Sequence, residues 1–319
     1  MNDIKYRRRL KKSVKRKLII FIIVTILFVG AGIGIKKYYD YINSYPYKLE
    51  KVGYNEKEIK VLTSKLKDKE LDKILKMKYN KLVDDFITQK YFIFKNLKEY
   101  ISYYTDNSDL SKKDVVALVN VKGNKDQYES TEATDTSKKE LLLVNKHNYL
   151  TKEYKPDKLV DVSVKYCYGQ NKISEEVYNK YISMYNAAKE EGLYLIITSA
   201  YREYEFQETL WKKYAAQQGE EWADSIAARP GYSEHQSGLA LDIVTYKSNM
   251  NDFENTKEFK WLQDNAHKYG FILRYPKEKE KLTGYNYESW HYRYVGVETA
   301  TKIKKLGITF DEYYAYYIK

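Results

Sequence analysis

Cysteine is nearly absent from this chain of 319 residues. Cys167 stands alone, which excludes an internal disulfide framework and any metal site built on several thiolates. Proline is scarce, at four residues, and 14 glycines are too few for collagen-like architecture. Only four histidines occur, at positions 147, 235, 267 and 291, so an imidazole-based site has few places to form. No G-x-G-x-x-G run or phosphate-loop pattern is present, so the chain carries no nucleotide signature. Apolar residues are not scarce: 43% of the chain is hydrophobic, enough for a sizeable core, which excludes a wholly disordered protein.

Acidic residues are outnumbered, 44 against 56 basic ones, for a formal charge of +12. The excess is localised. Residues 1–17 hold nine basic groups and one acid, so residues 18–319 carry only +4. Nucleic-acid binding needs basic residues clustered on a folded domain, and here they form a short head before an apolar run; no nucleic-acid partner is expected. That run, Leu18 to Ile35, reads LIIFIIVTILFVGAGIGI without a charge. At ~1.5 Å per residue its 18 residues span about 27 Å as a helix, close to the ~30 Å of a bilayer core. Lys36 and Lys37 follow it and can snorkel. Nine positive charges on one side against two on the other put the N-terminus in the cytoplasm and the remainder outside. A cleaved signal peptide is the competing reading, with Gly30-Ala31-Gly32 near a cut. The A-x-A pattern is missing and the run is longer than a usual signal core, so a retained anchor is expected. Both readings export the rest of the chain. Four segments follow: a cytoplasmic basic head (1–17), a transmembrane anchor (18–35), a helical stalk or spacer with a linker (36–139), and a C-terminal domain (140–319). A single-pass protein of a Gram-positive-like cell membrane fits this order.

The spacer shows short amphipathic helices. Ile59, Leu62 and Leu66 share one face, and Leu71, Ile74 and Leu75 repeat the pattern. Ser111 to Asp114 reads as a capping box before an apolar stretch. Residues 122–140 read as an exposed loop. From Leu141 the texture changes. Strands are expected at Leu141–Val144, Leu193–Thr198, Leu239–Val244, Phe271–Leu273 and His291–Tyr294. Helices are expected from a Ser174 cap to Gly192, over Glu203–Gln218 before Gly219, and over Glu258–Tyr269 before Gly270. An α+β fold results, a mostly antiparallel sheet flanked by helices.

Two segments carry chemistry. The first is Ser233-Glu234-His235-Gln236-Ser237-Gly238-Leu239-Ala240-Leu241-Asp242. Side chains alternate along a strand, so Ala240 and Asp242 share one face while Leu239, Leu241 and Ile243 share the apolar other. An aspartate in a core-forming strand needs a partner, because a bare buried carboxylate is costly; a metal is one such partner. The second segment is Glu288-Ser289-Trp290-His291. Two histidines and a carboxylate form a known zinc set that keeps one position for water. Glu288, three residues from His291, is near enough to act as base without ligating. The residues alone leave other readings open: His235 as a loop histidine, Asp242 as a strand-end hydrogen-bonder, His291 as a satisfied core residue. His147 and His267 read as structural or surface residues, His267 as a helix-terminal cation, Trp290 as a packing wedge, Cys167 as a buried thiol, and the tyrosine-rich end (313–317) as packed on the domain.

These segments resemble the VanY-type D-alanyl-D-alanine carboxypeptidases, with the pattern S-x-H-x-x-G-x-A-x-D and, far downstream, E-x-W-H. Every fixed position is present. The flanks agree too: Ser199-Ala200-Tyr201-Arg202 with Gln207, Ala228-Arg229-Pro230-Gly231, Leu143-Val144-Asn145-Lys146 with Tyr154-x-Pro156, and Gly270-Phe271-Ile272-Leu273-Arg274-Tyr275-Pro276. The resemblance covers residues 140–308. It implies a hedgehog/DD-peptidase-like fold and one zinc ion per chain on His235, Asp242 and His291. It implies Glu288 as general base and Arg202 beside the scissile carbonyl. Ser233 and Gln207 become donors to the substrate's terminal carboxylate or peptide group. Ser289 departs from the family's usual proline, which removes stiffness but no functional group. The implied activity is zinc-dependent D,D-carboxypeptidase action on peptidoglycan stem peptides or lipid-linked precursors. The alternatives are an L,D-carboxypeptidase, an L-alanyl-D-glutamate endopeptidase, or a zinc wall-binding module without turnover.

Overall fold

A computed structural model describes residues 2–246 and 248–319; Met1, Lys247 and the side chains of residues 2–10, hence part of the basic head, lie outside the described residues. The chain divides into two compact units, one ending at Leu97 and one from Lys98 to Lys319.

In the first unit, helix α1 (Asn2–Asn43) contains the apolar run. Among the described residues it is the one helix long and apolar enough to cross a membrane. Its large apolar side chains, such as Phe21, Ile26 and Phe28, are exposed. Thr25 returns its hydroxyl to the Phe21 carbonyl at 2.8 Å, which satisfies the one polar side chain in the run. Four short helices follow: α2 (Tyr45–Val52), α3 (Glu56–Lys65), α4 (Asp68–Leu75) and α5 (Leu82–Ile87). Asn55 caps α3 and Glu58 reaches back to the Asn55 N–H, a reciprocal cap. Leu62, Leu66, Leu71 and Ile74 are buried as the spacing anticipates, Ile59 and Leu75 are half-buried, and Leu49, Val83 and Phe86 join the buried set.

The second unit contains α6 (Leu97–Asp106) from Lys98 onward, and α7 (Lys112–Asn120), capped by Ser111. Residues 122–140 are largely exposed, as expected, but they are tied down: Lys146 donates to Gln127 at 2.6 Å and the Glu132 N–H to the His147 carbonyl at 2.9 Å. Two small pairs come next, parallel β1 (Glu132–Ala133) with β2 (Asn148–Tyr149), and antiparallel β3 (Leu159–Asp161) with β4 (Lys172–Ser174). The expected strand at Leu141–Val144 does not form. The Leu142 carbonyl accepts from Arg293 at 2.7 Å and the Leu143 carbonyl from Thr134 at 2.7 Å. Side chains take the acceptors that a ladder would have used; Leu141 ends a 3₁₀ helix, Thr136–Leu141, and residues 142–144 are buried coil.

Helix α8 (Glu175–Glu190) begins at Ser174, although the Ser174 hydroxyl makes no capping bond. It buries Val177, Tyr181, Met184, Tyr185 and Ala188 against a four-stranded sheet in the order β5 (Ile196–Ser199), β6 (Ala240–Val244), β8 (His291–Tyr294), β7 (Phe271–Leu273), every neighbouring pair antiparallel. Between these strands run α9 (Tyr204–Gln218), α10 (Glu220–Ile226), α11 (Lys257–Asn265) and α12 (Glu280–Thr283); α13 (Val297–Leu306) and α14 (Phe310–Tyr317) end the chain. The fold is α+β with a small antiparallel sheet, and helix rather than sheet supplies most of the regular structure.

The sheet has two unlike faces. Leu241, Ile243, Phe271, Tyr292 and Tyr294 join the core that α8 covers. Each such side chain contributes roughly 1.5–3 kcal/mol by leaving water. The other face carries Asp242, His291 and Arg293, all buried. Period-two alternation in β6 and β8 thus separates the apolar core from a polar, charged layer.

Candidate metal centre

Sheet register explains how residues 49 positions apart meet. Asp242 pairs directly with His291 across β6 and β8, and with Ser199 of β5 on its other side. Directly opposed side chains on one face are close neighbours. His235 arrives from a short 3₁₀ turn, Glu234–Ser237, that Gly238 ends in a left-handed conformation at φ 69°. A side chain at Gly238 would also place a Cβ 2.7 Å from Ser174 Oγ and 2.9 Å from Pro156 Cγ. Glycine is required at that turn on both counts.

His291 Nδ1 lies 3.1 Å from Asp242 Oδ1, and His235 Nε2 lies 3.3 Å from Asp242 Oδ2. One ligand atom from each residue falls within 4.8 Å of the other two, and all three residues are buried. The two imidazoles stand edge to face, centroids 5.0 Å apart. The outer nitrogens set the tautomers. His235 Nδ1 is 2.5 Å from the Ala200 carbonyl, an acceptor, so Nδ1 carries the proton and Nε2 presents a lone pair. His291 Nε2 is 3.2 Å from Glu234 Oε2, so Nε2 donates and Nδ1 presents its lone pair. His235 Nε2 is buried and has no hydrogen-bond partner. With both rings neutral, two nitrogen lone pairs and a carboxylate converge with no donor between them, an arrangement that a cation or a proton on His291 Nδ1 relieves and that suits zinc's N/O preference.

The electrostatics agree with this. Burial pushes the Asp242 carboxyl up, but His235 and His291 outweigh it and hold it well below the usual carboxylate range. Burial and Arg202 push His235 down, which keeps it neutral and able to ligate. Burial also pushes His291 down, but its contacts with Asp242 and Glu234 overcome this and raise it to about 9. Without a cation, a proton fills the space that Asp242 faces.

Glu288 precedes β8. Its Oε2 is 3.7 Å from His291 Nδ1, and its side chain is 22% exposed, more open than Asp242 or His291. Burial raises its pKa to about 7; His291 and Arg202 oppose the shift, Asp242 and Glu234 add to it. Arg202 lies just after β5, where its guanidinium senses Asp242 and Glu288, and its buried Nε has no partner. It lines a cleft with Thr198, Ser199, Tyr201 and Phe206. Gln207, on α9, is buried; its Nε2 donates to the Ala228 carbonyl at 2.7 Å and its Oε1 has no partner. Ser233 is buried just before the turn that carries His235 and makes no capping bond. His235, Asp242, His291 and Glu288 thus come together with Arg202 close enough to act on them electrostatically; Ser233 adjoins the turn that carries His235, and Gln207 lies on α9, the helix that follows Arg202.

Sequence reasoning missed Glu234, Arg274 and Arg293. Glu234 is ion-paired to both arginines at 2.8 Å, and all three side chains are fully buried. A signal was available: Arg293 stands between Tyr292 and Tyr294 in a strand, and an arginine there needs a buried partner. The bland assignments divide. Cys167 is buried, its thiol pushed up by burial, and Trp290 packs on the core. Tyr313 packs on a second apolar cluster with Phe310 and Ile303. At His267 partial burial, Lys304 and Lys268 push the imidazole's pKa down, which disfavours a cation there.

A buried two-histidine, one-aspartate set with a less buried carboxylate beside it is the donor arrangement of a metal-dependent hydrolase. The comparisons narrow the class. The family model for VanY, D-alanyl-D-alanine carboxypeptidase, matches residues 170–297. YodJ of Bacillus subtilis (strain 168) is 42% identical over 184 residues, 54% of this chain and 66% of YodJ. The D-alanyl-D-alanine carboxypeptidase of Enterococcus faecalis (strain ATCC 700802 / V583) is 35% identical over 193 residues, 57% of this chain and 68% of that protein. The chain thus spans about two thirds of the length of these relatives. The solved LdcB LD-carboxypeptidase, described as revealing the molecular basis of peptidoglycan recognition, is 39% identical with a TM-score of 0.56 and covers 59% of this chain and 91% of its own. The chain belongs to the VanY family of D-alanyl-D-alanine carboxypeptidases.

Proposed function

We propose that this chain is a zinc-dependent D,D-carboxypeptidase that removes the terminal D-alanine from peptidoglycan stem peptides. The observation that carries the reading is the convergence of buried ligand atoms from His235, Asp242 and His291 within 4.8 Å of one another, with Glu288 beside them. His235 Nε2, Asp242 and His291 Nδ1 would hold the ion, and zinc supplies Lewis-acid polarisation of the scissile carbonyl and a bound water of pKa ~7.

The chain's own residues do the rest. Glu288, poised near neutrality by burial, takes a proton from the attacking water and returns it to the leaving D-alanine amine. Arg202 offers its unpartnered Nε–H to the developing oxyanion, in a buried site where such a donor is strongest. Gln207 holds the Ala228 carbonyl with its amide nitrogen and turns its free Oε1 to a substrate N–H. Ser233 offers its hydroxyl to the substrate's carboxylate. Residues 18–35 anchor the protein in the cell membrane with residues 1–17 in the cytoplasm. Residues 36–139 hold the domain at 140–319 outside, near lipid-linked precursors.

The similarity to an LD-carboxypeptidase supports a second reading, trimming of a tetrapeptide on the same scaffold. Incubating the purified chain with pentapeptide and tetrapeptide stems, with and without a chelator, separates the readings by mass spectrometry. D-Alanine released from the pentapeptide, lost with chelator and restored by zinc, is the expected result. Release from the tetrapeptide alone supports L,D action. Cleavage between L-alanine and D-glutamate supports the endopeptidase, and binding without cleavage supports a wall-binding module.

A further inference from the structure

We propose that Glu234 is a positioning residue of the metal centre: it fixes the His291 imidazole so that Nδ1 rather than Nε2 faces Asp242, and a chain of buried charges running to the last helix holds Glu234 in place. The inference rests on the reading of His291 as a metal ligand and adds to it a second role for the turn at 234–237. One residue of that turn, His235, presents a ligand atom; its neighbour reaches round to the far side of the other histidine.

The oxygens of Glu234 are divided between two tasks. Oε1 accepts from Arg274 Nε and from Arg293 Nη1, each at 2.8 Å. Oε2 faces His291 Nε2 at 3.2 Å. The side chain is fully buried, so no bulk water competes for either oxygen. A carboxylate held ionised by two guanidiniums accepts only, so the nitrogen facing it must carry the proton. The tautomer of His291 follows, and with it which lone pair is left for a cation. The Tyr275 ring lies 4.8 Å from the imidazole, tilted by 37°, and flanks it on one face.

Glu234 cannot drift, because its partners are fixed in turn. Arg274 also donates Nη1 and Nη2 to the two oxygens of Asp311 in α14, at 2.5 and 3.2 Å. Asp311 Oδ1 accepts from Asn145 Nδ2 at 2.8 Å, and Asn145 Oδ1 accepts the backbone N–H groups of His147 and Asn148. Arg293 donates further to the carbonyls of Glu140, Leu142 and Tyr294. Two carboxylates oppose two guanidiniums, so the layer is neutral in itself. A carboxylate present only to neutralise arginines has no need to point an oxygen at a histidine nitrogen; this one does so opposite the nitrogen that meets Asp242.

The test uses the full chain in detergent, with zinc as the probe. Long-range ¹⁵N–¹H spectra of histidine-labelled wild-type protein should show His291 with Nε2 protonated and, after zinc is added, with the metal-bound shift on Nδ1. A metal-bound shift on Nε2 would overturn the inference without touching the metal reading. Glu234→Gln should weaken zinc binding about 10–100-fold, read by competition with a chromogenic chelator. Glu288→Gln is the comparison: it removes a nearby negative charge without touching His291 Nε2, so it should leave Nε2 protonated and the metal-bound shift on Nδ1. Equal affinity of the Glu234→Gln and wild-type proteins, with unchanged His291 shifts, also overturns the inference. If Glu234→Gln fails to fold, Asp311→Asn frees one end of Arg274 while leaving the carboxylate at 234, and a smaller loss of affinity in the same direction is expected. No loss there, together with a His291 that carries no proton on Nε2 in the zinc-free wild type, sinks the proposal. If wild-type protein binds no zinc at all, the metal reading itself falls and this inference with it.

Discussion

Glu288 concentrates the chemistry of the site in one carboxyl. It is the acid nearest the ligand cluster with appreciable exposure, 22% of its side chain against 5% for His291. Replacing it with glutamine keeps the volume and removes the base. The expected outcome for Glu288→Gln is a loss in kcat of about 10²–10⁴-fold with one zinc per chain retained, checked by steady-state kinetics beside metal analysis. Near-wild-type turnover would remove Glu288 from the role. The pH profile tests the same group. A base must be ionised to act, so kcat/KM should rise with pH through the Glu288 pKa and fall tenfold per unit below it. Burial puts that pKa at about 7 before any ion is considered. A bound dication favours the carboxylate, so the acidic limb of the loaded enzyme should lie between an ordinary glutamate near ~4.3 and about 7. Metal content measured at each pH separates this limb from proton competition at His235 and His291. The limb should vanish from the residual activity of Glu288→Gln.

At the scale of elements, the strands at 240–244, 271–273 and 291–294 and the helices at 175–190 and 204–218 were legible because alternation or helical spacing coincided with clear stops. Gly219, Gly270 and Gly192 all take positive φ where the spacing ended. Asp242 and His291 were legible as chemistry, since neither suits an apolar strand without a partner. What was not legible depended on long-range partners. Leu141–Val144 has the composition of a strand, yet Arg293 and Thr134 take two of its carbonyls. Glu234 lies in a polar turn and reads as a surface acid until Arg274, 40 positions away, and Arg293, 59 away, are brought to it. Gly238 joins the two kinds of information: a local turn residue whose need is set by Ser174 and Pro156. Alanine there meets a left-handed φ costing about 1–2 kcal/mol, and its Cβ collides with both neighbours. Gly238→Ala should therefore destabilise the unit by about 2–4 kcal/mol and weaken zinc binding, since the same turn carries His235. Chemical denaturation and chelator competition measure the two effects. An unchanged unfolding midpoint would mean that the turn can relax in a way its contacts do not suggest.

The proposed anchor couples this chemistry to a surface. The run at 18–35 contains thirteen Leu, Ile, Phe and Val residues. At roughly 0.3–0.6 kcal/mol each near the helix centre, they favour insertion by roughly 4–8 kcal/mol. One aspartate at mid-helix costs about 2.5–3.5 kcal/mol, less than that reserve, whereas two approach or cancel it. Ile26→Asp alone should therefore leave most of the protein in the membrane fraction. Ile22→Asp combined with Ile26→Asp, one turn apart on the same face, should release most of it or leave it uninserted. Fractionation with alkaline extraction reads the outcome, and the purified double variant should still bind zinc, since its substitutions lie outside residues 98–319. Orientation is a separate reading on the same cells. With nine basic groups before the run and two lysines after it, the expected outcome is that a tag fused to the C-terminus lies outside, where added protease removes it, and one fused to the N-terminus lies inside, where it survives. Membrane retention of the double variant would mean that something other than residues 18–35 holds the protein. Protection of the C-terminal tag would put the site on the side of the membrane opposite to the wall, where a peptidoglycan-trimming role has no mature substrate.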